Sequence, residues 1–151
     1  MGWQVAAQLA QRLNVEQFDR SDQFSAISGK SDEIEIDCLA VGGLALMERL
    51  IGYERAIIID AINSGRSPRG QISYFPLEKL PDQILGHLSS THDTSLQNAL
   101  KIGRAMGARL PARIEIVAIE AQQVYDFSEQ LSPDISKCVP DAVNLVMELV
   151  R

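Results

Sequence analysis

The sequence predicts an α/β protein in three α/β/α layers, with a mixed, mostly parallel sheet between its helices. Three observations carry this. Apolar runs of strand character, Arg55 to Asp60 (RAIIID) and Arg113 to Ile119, alternate with segments of helical periodicity. Repeats and low-complexity tracts are absent. The length of 151 residues suits one domain spanning 1–151.

The elements follow in order. Trp3 to Leu13 is an amphipathic helix: Val5, Ala6, Leu9, Ala10 and Leu13 form one stripe, opposite Gln4, Gln8, Gln11 and Arg12. It has no N-cap, and an α/β domain opening on a helix predicts that a strand is missing from the front. Asn14 to Ser31 is polar and reads as a loop. Glu33 to Ala40 alternates Ile34, Ile36 and Cys38 with acids, the pattern of a strand near a sheet edge. After Gly42-Gly43 comes a short helix, Leu44 to Ile51, closed by Gly52.

Arg55 to Asp60 has the continuous apolar character of a strand buried on both faces. Asn63-Ser64-Gly65 starts a turn, Gln71 to Phe75 is a shorter strand, and Leu80 to Thr91 is irregular. Asp93 or Thr94 is expected to cap a helix through Met106, with inner stripe Leu96, Ala99, Leu100 and Gly103 and terminator Gly107. Pro140 suits the first turn of a last helix, whose stripe is Ala142, Leu145, Val146, Leu149 and Val150.

Composition narrows the function. The net charge of −6 disfavours nucleic acid and anionic membranes as partners. No apolar run approaches the roughly 18 residues that span a bilayer. The start of the sequence lacks the basic, unbroken apolar pattern of a signal peptide. Cys38 and Cys138 are isolated, which suits a reducing compartment. A cytoplasmic protein is expected.

In open α/β sheets, sites form beyond the carboxyl ends of strands, and Asp60 stands at such an end. Its carboxylate could be a metal ligand, a general base or a phosphoacceptor, or could cap the next turn through Asn63 and Ser64. His92, in the loop LSSTHDTSL, is either a solvated loop residue or, with Asp60, half of a ligand set for a borderline divalent ion. His87 matches no HExxH motif and reads as surface. No GxSxG elbow accompanies Ser89, Ser90, Ser95 or Ser132. Cys38 reads as packed within a strand, and Cys138 as preceding a helix. Neither GxGxxG nor a Walker loop is present. What remains is a metal-dependent site with two visible ligands.

Several stretches together resemble the hydrogenase maturation proteases. They are the Gly42-Gly43 turn and its helix with Met47 and Leu50, IIIDAINSG from Ile57, THDTSLQNAL from Thr91, RIEIVAIE, and LSPDISKCVPDAV from Leu131. The resemblance runs from Gly2 to Val150 in one order. It implies an endopeptidase that removes a C-terminal extension from a nickel–iron hydrogenase large-subunit precursor, recognising nickel carried by that precursor. It implies metal contacts at Asp60 and His92, peptide contacts at Gly42 and Gly43, no serine or cysteine nucleophile, and a monomer.

The family's sheet order is 2-1-3-5-4, with the fourth strand antiparallel. Its third metal contact is an acid in a GN…DDGxG loop after strand 1. The sequence has no counterpart for that strand and loop, and Leu44 stands where many members have Thr. The resemblance therefore predicts an N-terminally truncated chain. Two other readings stand beside the enzyme. One is a non-catalytic relative that binds the precursor or its nickel. The other is a phosphoacceptor receiver domain, which would need an acidic pair after strand 1 and a lysine after the last strand, where Glu120, Gln122 and Gln123 stand instead.

Overall fold

The computed structural model describes residues 2–15, 27–30, 34–80, 95–121 and 133–151. They fall into two units, Met1–Ala40 with Ser128–Arg151, and Val41–Phe127. The architecture is mixed α/β, as the alternating pattern predicts.

In the first unit, α1 (Gly2–Arg12) buries Val5, Ala6, Leu9 and Ala10. Its end is set by Asn14, at φ 49°, which lets the Val15 N–H return to the Ala10 carbonyl at 3.0 Å. Helix α1 packs on α4 (Pro133–Leu149), and Arg12 Nη1 donates to Asn144 Oδ1 at 2.6 Å. The Asn14–Ser31 stretch is not all loop: β1 (Ile27–Lys30) pairs antiparallel with β2 (Glu35–Cys38). The sequence ISGK lacks apolar alternation, so only its pairing with β2 makes it a strand. Cys38 packs against Ala6 and Ile36.

Helix α4 begins a full two turns before Pro140, which lies inside it. Pro133 takes the first-turn position instead, where its missing N–H costs nothing. The buried stripe is Ile135, Cys138, Val139, Ala142, Val143 and Val146, rotated from the expected one. Pro140 is exposed, so the bond it forfeits inside the helix faces solvent.

The second unit contains a three-stranded sheet of order β3-β5-β4. Strands β3 (Arg55–Ile62) and β5 (Arg113–Glu120) are parallel, and β4 (Ile72–Pro76) is antiparallel to β5. Strand β5 is central and its residues 114–120 are buried. Strand β3 is only half-buried over residues 55–61, not buried on both faces as its composition suggests.

Helix α2 (Gly43–Arg49) packs on α3 (Leu96–Ala105). The double glycine has a backbone reason: Gly43 opens the helix at φ 51°, where a side chain would be strained. Ser95 caps α3 by accepting the Asn98 N–H at 3.3 Å. Asp93 and Thr94, the caps expected from sequence, lie outside the described residues. The α3 stripe Leu96, Ala99, Leu100 and Gly103 is buried as predicted, and Gly107 ends the helix at φ 84°. A 3-10 turn, Leu77–Lys79, follows β4, and Gln97 Nε2 donates to the Leu77 and Leu80 carbonyls at 3.1 Å. Among the described residues no helix is long and apolar enough to cross a membrane.

Candidate functional site

The parallel strands β3 and β5 end side by side. Their register runs from Arg55 opposite Arg113 to Ile62 opposite Glu120, and the Ala121 N–H extends it to the Ile62 carbonyl at 2.7 Å. Alternation places Asp60, Ile62, Ala118 and Glu120 on one face of this end. Asp60 is half-buried, and its Oδ1 accepts the Ala61 N–H at 2.8 Å. The strand continues two residues past Asp60, so the acid lies before the strand's end and not at its last position.

The loop that follows closes on one residue. Glu120 Oε1 accepts the backbone N–H groups of Ser64 at 2.8 Å and Gly65 at 3.0 Å, and its Oε2 accepts the Ser64 hydroxyl at 2.6 Å. Ser64 Oγ in turn accepts the Arg66 N–H at 3.1 Å. Across the loop, the Glu120 carbonyl accepts the Gly70 N–H at 2.8 Å and the Glu120 N–H donates to Gln71 at 2.9 Å. Side chain and backbone of one residue thus hold both ends of an Ω-type loop. Glu120 is 3% exposed, and three donors on its carboxylate answer the cost of burying the charge.

Sequence reasoning assigned the turn at Ser64 to Asp60 as one alternative and overlooked Glu120. In the structure, Glu120 takes both the N–H and the hydroxyl of Ser64. One signal could have shown it: two apolar strands, RAIIID and RIEIVAIE, both carry an acid at the same end of a parallel sheet.

The opposite face and end of the sheet carry a second charged group. Glu115, 2% exposed, accepts from Arg55 Nε and Arg113 Nη2, each at 2.6 Å, and from the Tyr74 hydroxyl. Burial alone would raise its pKa, but the hydrogen bonds from Tyr74, Arg55 and Arg113 outweigh it and hold the carboxyl below its ordinary range. This cluster fastens the start of the sheet.

His92 and His87 lie outside the described residues, so Asp60 is the one expected metal contact the geometry describes. Among the described residues no three His, Cys, Asp or Glu side chains converge as a metal set. Gly42 and Gly43 stand at the start of α2 in the same unit as Asp60. Both cysteines are free and buried. Burial, with a smaller contribution from Asp37, pushes the Cys38 thiol up to about 11. Cys138 is not ahead of a helix but within α4, where its S–H donates to the Ile135 carbonyl at 3.0 Å and burial raises its pKa.

Comparison with known proteins gives consistent results. Residues 39–149 match the family model described as hydrogenase maturation protease. Hydrogenase expression/formation protein HupD of Rhizobium leguminosarum bv. viciae is 24% identical over 121 residues, 80% of this chain and 59% of HupD. The chain thus spans a little under three-fifths of that relative's length. Among solved structures, the hydrogenase maturating endopeptidase HybD from E. coli superposes with a TM-score of 0.71 at 20% identity, covering 99% of this chain and 82% of HybD. The [NiFe] hydrogenase maturation protease HybD from Thermococcus kodakarensis gives 0.56 at 29% identity, covering 72% of this chain and 73% of its own.

Proposed function

The chain belongs to the hydrogenase maturation protease family, and from that premise we propose that it is an endopeptidase that removes the C-terminal extension of a nickel-loaded [NiFe] hydrogenase large-subunit precursor. The observation that carries this reading is the position of Asp60 within the matched span: a half-buried carboxylate near the carboxyl end of β3, beside a loop fixed by Glu120.

In this reading Asp60 and His92 contact the nickel already held by the precursor, which is substrate here and not a resident cofactor. A cation beside the scissile carbonyl polarises it and can supply several kcal/mol of transition-state stabilisation without a protein nucleophile. The buried, weakly acidic thiols accord with that division of labour. Gly42 and Gly43, at the start of α2, would receive the peptide. We place the protein in the cytoplasm as a monomer with the precursor as its partner. Its two unpaired cysteines and acidic balance support this over a nucleic-acid or membrane partner.

The experiment is a gel-mobility assay on nickel-loaded precursor with the protein expressed from its gene. Cleavage that disappears in Asp60→Asn and in His92→Ala, with both variants folded, supports the reading. Precursor binding without cleavage by the wild type would instead identify a non-catalytic relative, and full activity in either variant would remove that residue from the site.

A further inference from the structure

We propose that Glu120 is a positioning residue of this site: its buried carboxylate holds the Ser64–Gly65 turn and, through it, the direction of the Asp60 carboxylate. The inference rests on the reading of Asp60 as a nickel contact.

The chain of contacts is continuous. Glu120 binds the N–H groups of Ser64 and Gly65 and the Ser64 hydroxyl, which fixes the chain where it leaves β3. Only Ala61, Ile62 and Asn63 separate Asp60 from that turn. The last rung of the parallel ladder, Ala121 N–H to the Ile62 carbonyl at 2.7 Å, lies between them. Asp60 Oδ1 is bound to the Ala61 N–H at 2.8 Å, so rotation of that peptide turns the carboxylate with it. Releasing the turn frays the final rungs and frees the peptide on which Asp60 is aimed.

A role in stability does not by itself account for where Glu120 places its bonds. A buried carboxylate is costly to desolvate and is kept where donors meet it. Here a 3%-exposed carboxylate directs its three hydrogen bonds among the described residues to the loop next to Asp60, while its own backbone closes that loop's far end at Gly70 and Gln71. Glu120→Gln is the informative variant. It keeps the volume and one acceptor for the backbone N–H groups, but its amide meets the Ser64 hydroxyl as a donor and the charge is lost.

The test uses nickel(II) alone as probe, with calorimetry and amide hydrogen exchange on the wild type, Glu120→Gln, Ser64→Ala and Asp60→Ala. The proposal expects Glu120→Gln to speed exchange at Ser64 and Gly65 at least about tenfold while Ile57–Ile59 stay protected. It expects nickel affinity to fall by about tenfold, the low end for residues that orient a metal contact. Ser64→Ala should move both readouts the same way by less. Unchanged exchange in Glu120→Gln overturns the proposal, and so does faster exchange with wild-type nickel affinity. Wild-type affinity in Asp60→Ala overturns the nickel role of Asp60 and the proposal with it, and that variant alone tells this failure from the others.

Discussion

Ser64 gives both its backbone N–H and its hydroxyl to the two oxygens of a single buried carboxylate, Glu120, at 2.8 and 2.6 Å. That relationship ties the loop after β3 to the end of β5. It also implies an asymmetry between variants. Glu120→Ala removes the shared acceptor of two backbone N–H groups and a hydroxyl and leaves a cavity, and a donor that stays buried and unsatisfied costs about 1–3 kcal/mol. The expected loss is about 2–4 kcal/mol, a fall in melting temperature of roughly 5–15 °C for a domain of this size. Glu120→Gln should lose less than half of that. Thermal unfolding followed by circular dichroism measures both, and equal melting of the two variants would deny the carboxylate's hydrogen bonds any part in stability.

At the other end of the sheet, Glu115 predicts a pH dependence. Its folded pKa lies below the unfolded reference of 4.5, because the hydrogen bonds from Tyr74, Arg55 and Arg113 overcome the effect of burial. Its contribution to stability is therefore complete above that reference and is lost as pH falls toward the folded value. Urea unfolding between pH 6 and 3 should show a decline that is shallower in Glu115→Gln, which cannot titrate. Parallel curves for the two proteins would contradict the assignment.

The second unit holds a packing constraint that a single glycine reveals. A Cβ on Gly103 would sit 2.7 Å from Met47 Sδ and 3.0 Å from Leu110 Cδ1. Alanine ordinarily favours a helix interior over glycine by about 1 kcal/mol. Here overpacking, typically about 1–3 kcal/mol, should win. Gly103→Ala is expected to destabilise by about 1 kcal/mol net, and Met47→Ala should relieve the clash, so the double variant should be less than additive. A stabilising Gly103→Ala would show that Met47 moves aside freely.

How far the sequence revealed this molecule depends on what each residue's signal depends on. Helix α3 was legible because its stripe, Leu96, Ala99, Leu100 and Gly103, is a local periodicity that burial simply enforces. Strand β1 was not, because Ile27–Lys30 acquires strand character only from its partner β2. Pro140 misled because a proline favours a first turn, while Pro133 already fills that place and α4 absorbs the second proline on its exposed side. At the site, Asp60 could be read from its place after an apolar run. Glu120 could not be separated from a surface acid until the loop that folds around it was seen. His92 was read from sequence and lies outside the described residues.

The thiols of Cys38 and Cys138 are nucleophiles that could replace a metal-templated mechanism. Thiolate, not thiol, attacks a carbonyl, and catalytic cysteines are held at depressed pKa by cationic neighbours or helix N-termini. Cys38 is in the opposite situation: it is packed on Ala6 and Ile36, and burial with help from Asp37 lifts it to about 11. At pH 7.5 that leaves on the order of one thiolate in several thousand molecules. Cys138 is buried inside α4, with its S–H committed to the Ile135 carbonyl. Both should react slowly with an aromatic disulfide reagent in the folded protein and rapidly once it is unfolded in guanidinium. Cys38→Ser and Cys138→Ser should retain precursor cleavage within about a factor of three, with any loss tracking stability, since a hydroxyl in place of a buried thiol costs packing and desolvation. Loss of cleavage by orders of magnitude in a folded cysteine variant would move the chemistry to a thiol and displace Asp60 from its proposed role.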